Sequence, residues 1–375
     1  MQAHATTWPT TLLARQADPV DGTVKYLFRL GDGHTVETVL MRYRYGYTAC
    51  ISSQVGCRMG CRFCASTIGG LTRNLSPGEM VEQLLAVNRD LADPTRRGDV
   101  RLFPVPSPDV LAAGPHRAGT HRSAENRVGQ TVSDRRVPAA DCAPAAPDPG
   151  SLSSQSGSGS GDRAPEAGWD RVSRLVVMGM GEPLENLEAV LSFLRVAHEL
   201  EGAGIGWRHM TVSTSGLVPG IEALAACALP ITLAVSLHAP NDELRDFLVP
   251  VNRRYPLAAL LPACRAYVER THRRLTFEYV MISHVNDLAE HARELTKLLR
   301  GLQCHVNLIP LNPVRERDLH CSTPEAMERF RAVLHGAGIP ATVRRQLGLT
   351  IDAACGQLRR REDLALASDP SPQSV

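Results

Sequence analysis

The chain contains the stretch Cys50-Ile51-Ser52-Ser53-Gln54-Val55-Gly56-Cys57-Arg58-Met59-Gly60-Cys61-Arg62-Phe63-Cys64, in which a short strand-forming segment runs into three cysteines. We predict a strand over residues 50–54 and a loop over residues 57–64. Three and then two positions separate the successive cysteines of that loop. Three thiols in so short a loop indicate either a metal centre or a set of small buried side chains.

The metal-centre interpretation is the stronger one. Structural zinc sites usually take four ligands in two closely spaced pairs, and no second pair lies nearby in the sequence. Three thiolates in one loop better suit a cubane iron–sulfur cluster, which would keep one iron without a protein ligand. Three cysteines that serve only as small apolar side chains fit poorly in a loop that also contains Arg58, Gly60 and Arg62. The spacing therefore favours a [4Fe-4S] cluster on Cys57, Cys61 and Cys64.

Strands and helices alternate on both sides of this loop, which predicts an α/β fold with a parallel sheet. A helix should begin at Pro77 with Ser76 as its N-cap, because apolar residues recur at helical spacing after it. Five more strands are predicted over residues 174–179, 209–213, 231–237, 275–282 and 305–309, and five more helices over residues 187–200, 221–226, 257–270, 287–299 and 324–336. Together with the first strand these make six βα units, fewer than the eight of a closed barrel. We expect an open, partial (βα)6 barrel with its active site at the carboxyl ends of the strands.

The remaining segments complete the predicted domain organisation. Residues 1–47 form an amino-terminal segment with a small β-hairpin, made by residues 25–30 and 35–41 around Gly31-Asp32-Gly33. Residues 48–93 are the first part of the barrel and contain the cysteine loop. Residues 94–168 are crowded with Pro, Gly, Ser and Ala, which predicts a long disordered insertion. Residues 169–361 complete the barrel and a carboxyl-terminal loop, and residues 362–375 are a disordered tail.

Composition excludes several classes of protein. The chain has 375 residues, 43% of them hydrophobic and 21% charged, with a net charge of +2, so neither global disorder nor a uniformly basic nucleic-acid coat is indicated. The longest nearly apolar run, residues 224–237, is shorter than the roughly 20 residues that cross a bilayer. Residues 1–16 lack the pattern of a secretion signal. We expect a cytoplasmic protein with no membrane partner.

Five separated segments of the chain form a recognisable set. They are Tyr47-Thr48-Ala49-Cys50-Ile51-Ser52-Ser53-Gln54-Val55-Gly56-Cys57, Met178-Gly179-Met180-Gly181-Glu182-Pro183, Ser213-Thr214-Ser215-Gly216, Ser236-Leu237-His238-Ala239-Pro240 and Ile351-Asp352-Ala353-Ala354-Cys355-Gly356-Gln357-Leu358. Together they resemble the RlmN/Cfr family, and the RlmN branch more closely than the Cfr branch. Members of this family are radical S-adenosylmethionine (SAM) methyltransferases that act on an adenine of 23S ribosomal RNA. The resemblance covers about residues 22 to 361 apart from the insertion.

The resemblance implies a radical-SAM barrel and a two-cysteine reaction. Carbon-2 of adenine is electrophilic and cannot take a methyl cation from SAM by ordinary displacement, so a radical route is required. The resemblance implies that Cys355 accepts a methyl group from one SAM. It further implies that a second SAM, cleaved reductively at the cluster, yields a 5′-deoxyadenosyl radical that removes a hydrogen from that methyl, and that the resulting thiomethylene radical attacks carbon-2. Cys50 would release the product by attacking the Cys355 sulfur, a thiol exchange that suits a reducing compartment. Glu37 matches a proton acceptor, although a carboxylate on a strand could equally be a solvated side chain.

The family pattern also implies contacts with SAM. Glycine allows close backbone approach after a strand, a carboxylate can accept from the SAM ammonium, and hydroxyl and amide groups can orient the ribose and carboxylate. Each signal is weak alone, and their positions after successive predicted strands strengthen them. The implied SAM-binding residues are Gly181, Glu182, Ser213, Ser236, Leu237, His238 and Asn312, and the implied cofactors are one [4Fe-4S] cluster and two SAM molecules per turnover.

The expected partners are 23S rRNA, with tRNA as an additional candidate substrate, and an electron donor such as flavodoxin; a monomer is expected. Arg344-Arg345 and Arg359-Arg360-Arg361 flank Cys355 and could contact RNA phosphates. Only about twenty residues precede the hairpin, so the amino-terminal accessory domain of the family is expected to be truncated here. Two alternatives remain open: methylation of adenine carbon-8, as in the Cfr branch, and a non-catalytic iron–sulfur protein.

Overall fold

The computed structural model describes residues 10–93, 171–312, 314, 316–348, 350–351 and 356–358. The predicted disordered insertion over residues 94–168 and the predicted tail over residues 362–375 lie outside these described residues. Cys355 and the arginine run 359–361 also lie outside them.

The described residues form one large sheet, one small sheet and seven α-helices. The strands are β1 (Thr11–Ala17), β2 (Val24–Arg29), β3 (Thr35–Tyr43), β4 (Gly46–Cys50), β5 (Gln54–Gly56), β6 (Leu71–Asn74), β7 (Val172–Val177), β8 (Met210–Thr214), β9 (Thr232–Ser236), β10 (Leu275–Met281), β11 (Cys304–Pro310) and β12 (Ala341–Val343). The helices are α1 (Pro77–Ala92), α2 (Leu187–His198), α3 (Val218–Ala226), α4 (Asp242–Leu248), α5 (Leu257–Thr271), α6 (Ala289–Leu298) and α7 (Pro324–Gly336).

The large sheet confirms the predicted α/β fold. Its ten strands lie in the order β1-β2-β3-β4-β7-β8-β9-β10-β11-β12. The pairs from β1 to β4 are antiparallel, and all pairs from β4 to β12 are parallel. Six βα units therefore run from β4 to β11, as predicted, and the short strand β12 follows the last helix. No pairing between β12 and β1 closes the sheet among the described residues, so the barrel is partial.

Alternating burial along the strands separates two faces of the sheet. In β11, Val306 and Leu308 are fully buried, whereas His305, Asn307 and Ile309, which alternate with them, are half-buried. The buried set packs into the main apolar core, to which the helices contribute. The half-buried set lies on the opposite, inner face. A polar ligand could bind on this inner face.

Local sequence signals account for the helix boundaries. The Ser76 side chain accepts from the Glu79 backbone N–H, and the Glu79 carboxylate accepts from the Ser76 N–H, which forms a capping box at the start of α1. Thr323 caps α7 in the same position, ahead of Pro324. None of the described helices is long and apolar enough to cross a membrane.

Two local features differ from the sequence-based expectation. The predicted strand over residues 50–54 is wrong, because β4 ends at Cys50 and Gln54 begins the separate strand β5. The Ser52 backbone N–H donates to the side chain of Gln83 in α1 at 3.0 Å, instead of to a neighbouring strand, so the ladder stops there. The amino-terminal hairpin is also larger than predicted, since β1 pairs with β2 as a third antiparallel strand.

Candidate active site at the carboxyl ends of the strands

The cysteine loop lies at the carboxyl end of β4 and is held by backbone hydrogen bonds. The Cys57 N–H donates to the Gly70 carbonyl at 2.9 Å, and the Arg62 N–H donates to the Leu248 carbonyl at 3.0 Å. Cys57 and Cys61 are buried and Cys64 is half-buried, and none of the three is disulfide-bonded. The three side chains line the same cavity.

The donor set fits an iron–sulfur cluster. Within the described residues no three His, Cys, Asp or Glu side chains converge as the ligands of a single metal ion would. A cubane does not require that convergence, because each cysteine binds a different iron. Burial is the largest cause that raises the pKa of the Cys57 thiol and that of the Cys61 thiol. The metal-free loop therefore holds neutral thiols, which would release protons when they bind metal.

A cavity of about 340 Å³ lies beside the loop. Its walls come from residues spread between Thr23, just before β2, and the segment after β12, so the inner face curves around it. Most of the predicted site residues line this cavity, namely Cys50, Cys57, Cys61, Cys64, Gly181, Glu182, Ser213, Ser236, His238 and Asn312. Glu37 and Leu237 do not line it, and Cys355 lies outside the described residues.

Glu182 is a buried acceptor at the end of β7. Its carboxylate accepts from the Ser215 N–H at 2.7 Å and from the Leu184 N–H at 3.1 Å. Burial raises the pKa of Glu182, and these hydrogen bonds oppose that rise. Gly181 before it has φ +111°, and a Cβ there would lie 2.7 Å from the Gln54 Cβ. Both the backbone conformation and the packing therefore require glycine.

His238 is a neutral, buried imidazole at the end of β9. Its Nδ1 accepts from the Val280 N–H at 2.9 Å, so Nε2 carries the proton. Burial, and then the charge of Arg245, lowers the pKa of His238 to about 3. The ring packs edge-on against Phe63 of the cysteine loop, with centroids 4.6 Å apart. The preceding residue, Leu237, has a fully buried side chain and can face a ligand only through its backbone.

Arg245 in α4 was not identified from the sequence. Its guanidinium is fully buried and donates to the carbonyls of Ser215, Ser236 and Leu237 at 2.6, 3.1 and 3.2 Å. These carbonyls lie at or just after the ends of β8 and β9, so one side chain holds together two strand ends that carry predicted SAM contacts. Its context in a charged helical segment is that of a solvated residue, and no local signal distinguishes it.

Glu37 forms a buried ion pair that sequence reasoning also missed. The Lys25 Nζ lies 2.9 Å from Glu37 Oε2, with the two side chains 0% and 3% exposed. The same oxygen accepts from the Gly356 N–H at 2.6 Å. Gly356 follows Cys355 in the chain. The carboxylate is therefore held beside the carboxyl-terminal segment rather than on a solvated face.

Two more carboxylates, in the connection between β1 and β2, hold the same carboxyl-terminal segment. Asp21 accepts from the Gly348 N–H at 2.7 Å, and Asp18 accepts from the Thr350 N–H at 3.0 Å. With Glu37, they fix the backbone on both sides of residues 352–355. We call Asp18, Asp21 and Glu37 the carboxylate clamp.

Cys50 lies at the end of β4, opposite Val39 in the β3–β4 register. It packs with Val39 and Met41 in a small apolar cluster apart from the main core. Its side chain is buried and lines the cavity. A thiol here is shielded from bulk water, yet it faces the space beside the cysteine loop.

Comparisons with known proteins agree with this geometry. Residues 162–299 match the model of the Radical SAM superfamily. The chain is 45% identical to "Probable dual-specificity RNA methyltransferase RlmN" of Desulforamulus reducens, over 94% of this chain and 78% of that protein. It is 44% identical to the protein of the same name from Symbiobacterium thermophilum, over 92% of this chain and 73% of that protein. The chain belongs to the RlmN family of radical SAM RNA methyltransferases.

A solved structure supports the RlmN assignment at the level of the fold. The radical SAM methyltransferase from Sphaerobacter thermophilus is 42% identical to this chain and superposes with a TM-score of 0.71. The match covers 93% of this chain and 81% of that one. As a member of the RlmN family, the protein uses a [4Fe-4S] cluster and SAM, and the three-cysteine loop and adjoining cavity fit these two groups.

Proposed function

We propose that this RlmN-family protein methylates carbon-2 of an adenine in 23S rRNA, and an adenine in tRNA as a second substrate, through a methyl-cysteine at Cys355. The observation that carries the proposal is the 2.6 Å hydrogen bond from the Gly356 N–H to Glu37. It holds the neighbour of Cys355 next to the strands that present Cys50 to the cavity. The names of the relatives support an RNA substrate of dual specificity.

The residues that would hold the cofactors follow from the cavity. Cys57, Cys61 and Cys64 would bind the cluster, which when bound supplies the electron that cleaves SAM. Glu182 would accept from the SAM ammonium, while Ser213 and Ser236 would orient the ribose or the carboxylate. His238 would donate from Nε2, because its Nδ1 is already an acceptor, and Asn312 would contribute its amide. Leu237 would contribute only backbone groups.

The protein's own groups would carry the covalent steps. The Cys355 thiol would accept a methyl group from SAM and release a proton. The deoxyadenosyl radical that SAM cleavage supplies would take one hydrogen atom from that methyl group, and the remaining methylene carbon would bond to carbon-2 of the base. The adduct would then lose one electron, returned to the cluster, and the proton of carbon-2, accepted by Glu37. The Cys50 thiolate would attack the Cys355 sulfur, so that an S–S bond forms as the carbon–sulfur bond breaks, and the released carbon would take up a proton to become the methyl group. An external thiol system would reduce the Cys50–Cys355 disulfide, and an electron donor such as flavodoxin would supply electrons to the cluster. We expect the enzyme to act as a monomer in a reducing compartment.

The test is nucleoside mass spectrometry on 23S rRNA and tRNA incubated with anaerobically reconstituted protein, SAM and a reductant. We expect 2-methyladenosine in both RNAs. Finding 8-methyladenosine instead would assign the protein to the alternative carbon-8 reaction. Absence of both methylated adenines, together with absence of reductive SAM cleavage, would leave a non-catalytic iron–sulfur protein.

The Cys50→Ala variant tests the two-cysteine pathway. No thiol would remain to attack the Cys355 sulfur, so we expect a covalent protein–RNA adduct to accumulate under turnover. Cys264→Ala is the matched control, since this buried thiol lies in α5 and does not line the cavity. Release of methylated adenine by Cys50→Ala at the wild-type rate would contradict the pathway.

A further inference from the structure

Cationic side chains gather at the amino-terminal ends of the parallel strands, on the edge opposite the cavity. Arg174 is in the first half of β7, Arg208 and His209 immediately precede β8, and Arg273 and Arg274 immediately precede β10. The strands are about 17 to 23 Å long at 3.3 Å per residue, so this edge is well separated from the cysteine loop. We call Tyr45, Arg174, Arg208, His209, Arg273 and Arg274 the amino-terminal rim.

Tyr45 adds an aromatic surface to these cations. It lies in the β3–β4 turn, and its ring stacks on Tyr43 with centroids 5.0 Å apart and planes 9° from parallel. The Arg174 guanidinium lies 4.3 Å from the Tyr45 ring centroid. Tyr45 nevertheless remains 50% exposed. The turn therefore presents a supported ring beside a fixed positive charge.

The cations lie close enough to influence one another. Burial, and then the charges of Arg174 and Arg273, lowers the pKa of His209. Burial, and then the charge of Arg208, lowers the pKa of Arg273, and Arg274 adds to that effect. The whole chain has a net charge of only +2, so this is a local concentration of positive charge. Clustered like charges repel, and a bound polyanion would relieve that repulsion.

We propose that the amino-terminal rim binds RNA, with its exposed cations on backbone phosphates and the exposed part of the Tyr45 ring packed against an unpaired base. Proteins recognise unpaired RNA by this combination of cations and aromatic rings. An acidic protein partner would account for the cations of the rim but not for the exposed Tyr45 ring. The inference rests on the proposed function, which supplies RNA as the substrate. The rim would bind a part of the RNA that is distant from the target nucleotide, which enters the cavity.

The first experiment replaces the two exposed arginines, Arg208→Gln with Arg274→Gln, and measures RNA affinity by anaerobic fluorescence anisotropy at several salt concentrations. The probe is a fluorescently labelled fragment of 23S rRNA, and the same fragment is used in the methylation assays. We expect about tenfold weaker binding at low salt, and a salt dependence reduced by about one unit of slope for each lost phosphate contact. The matched control is Arg293→Gln with Arg329→Gln, two exposed arginines on α6 and α7. The control pair should bind as the wild type does.

The second experiment tests the stacking surface. Tyr45→Ala should weaken RNA binding by about fivefold or more, and Tyr45→Phe should keep most of the affinity, since the ring is what stacks. In methylation assays the rim variants should raise the KM for RNA more than they lower kcat. SAM cleavage without RNA should be unchanged, because the rim does not line the cavity.

The outcomes separate the rim from the proposed function. If the wild type binds RNA but methylates neither RNA, the proposed function fails, and the rim is still judged by the binding of its variants. If the rim variants bind RNA like the wild type and the control pair, the rim proposal is wrong. If they keep RNA affinity but lose SAM cleavage driven by a flavodoxin, the surface binds an acidic protein and the RNA assignment is overturned.

Discussion

Lys25 is a fully buried cation that pairs with Glu37 beside the candidate site. Its ammonium is fully buried and lies 2.9 Å from the Glu37 carboxylate, which in turn holds Gly356. Removing one partner of a buried ion pair leaves a charge in a poorly solvated place. Lys25 therefore acts on the carboxyl-terminal segment through Glu37.

We predict that Lys25→Met lowers the free energy of unfolding by about 3 kcal/mol, since Glu37 loses its buried cationic partner. Urea unfolding measures the stability, and methyl transfer to RNA should fall in the same variant. Lys25→Arg keeps the charge and should recover most of both. A Lys25→Met protein with wild-type stability and methylation would show that the ion pair is dispensable.

His238 makes stability depend on pH. Its pKa in the folded protein is about 3, lowered chiefly by burial, whereas an unfolded histidine titrates near 6.5. Between these two values the unfolded chain binds a proton that the folded protein does not. The free energy of unfolding should therefore fall by about 1.4 kcal/mol for each pH unit below 6.5, and this penalty is absent above that value.

The check is urea unfolding of cluster-free wild type and of His238→Asn at pH 7.5 and pH 5. Asparagine tolerates the positive φ of 59° at this position and can accept the Val280 N–H. We expect the wild type to lose about 2 kcal/mol more than the variant between the two pH values. Equal losses would mean that His238 is protonated in the folded state.

The amino-terminal antiparallel strands are the element that holds the carboxyl-terminal segment. Asp18 and Asp21 lie between β1 and β2, and each accepts a backbone N–H from the stretch that leads to Cys355. For Asp18, burial acts to raise the pKa, but the hydrogen bonds from Thr350 and Val20 outweigh it and the net shift is downward. At any pH above the usual aspartate pKa, the Asp18 carboxylate is therefore ionised and holds the carboxyl-terminal segment in full. This contribution is lost as the pH falls through the lowered pKa of the folded protein.

We predict that Asp18→Ala with Asp21→Ala speeds amide hydrogen exchange in a peptide that spans residues 348–351. A hydrogen bond contributes about 1 kcal/mol net, so each lost bond should accelerate exchange about fivefold. Methyl transfer should fall while SAM cleavage remains, since neither aspartate lines the cavity. Asp32→Ala is the control, because this carboxylate pairs with Arg73 in the β2–β3 turn, at the other end of β2. Unchanged exchange in the double variant would remove these two residues from the clamp.

At the scale of the whole molecule, the chain leaves the barrel after α1 and returns at β7. The Asn88 side chain in α1 accepts from the Val172 N–H at 2.8 Å, so the two ends of the intervening stretch meet in the fold. A short connection can therefore replace the long one. The cost of loop closure changes by only about 0.6 kcal/mol for each doubling of loop length.

We predict that deletion of residues 94–168, which joins Asp93 to Trp169, leaves cluster assembly and SAM cleavage intact. Visible absorption of the reconstituted cluster and release of the SAM cleavage product measure the two properties. The full chain, reconstituted in parallel, is the control. Loss of soluble protein on this deletion would show that the segment contributes to folding.

Several parts of this protein could be predicted from local sequence. The bounds of α7, residues 324–336, match the prediction because Thr323 and Pro324 mark its start and Gly336 its end. The six βα units and the loop of Cys57, Cys61 and Cys64 were also predicted, since hydrophobic periodicity and thiol spacing are local properties. The placement of Glu182 and His238 at strand ends follows from the same pattern.

The remaining features depend on contacts between distant residues. Glu37 and Gly356 are 319 positions apart and meet only because the sheet places β3 beside the carboxyl-terminal segment. Arg245 and Lys25 belong to residue types that are normally exposed, and only packing shows that both are buried. The rim assembles its cations from separate loops, a juxtaposition that the order of parallel strands creates. The sequence alone thus determined the six βα units and the cluster loop. The tertiary structure decided which charges share a surface or a buried pair, because burial and Coulomb energy depend on distance in space rather than along the chain.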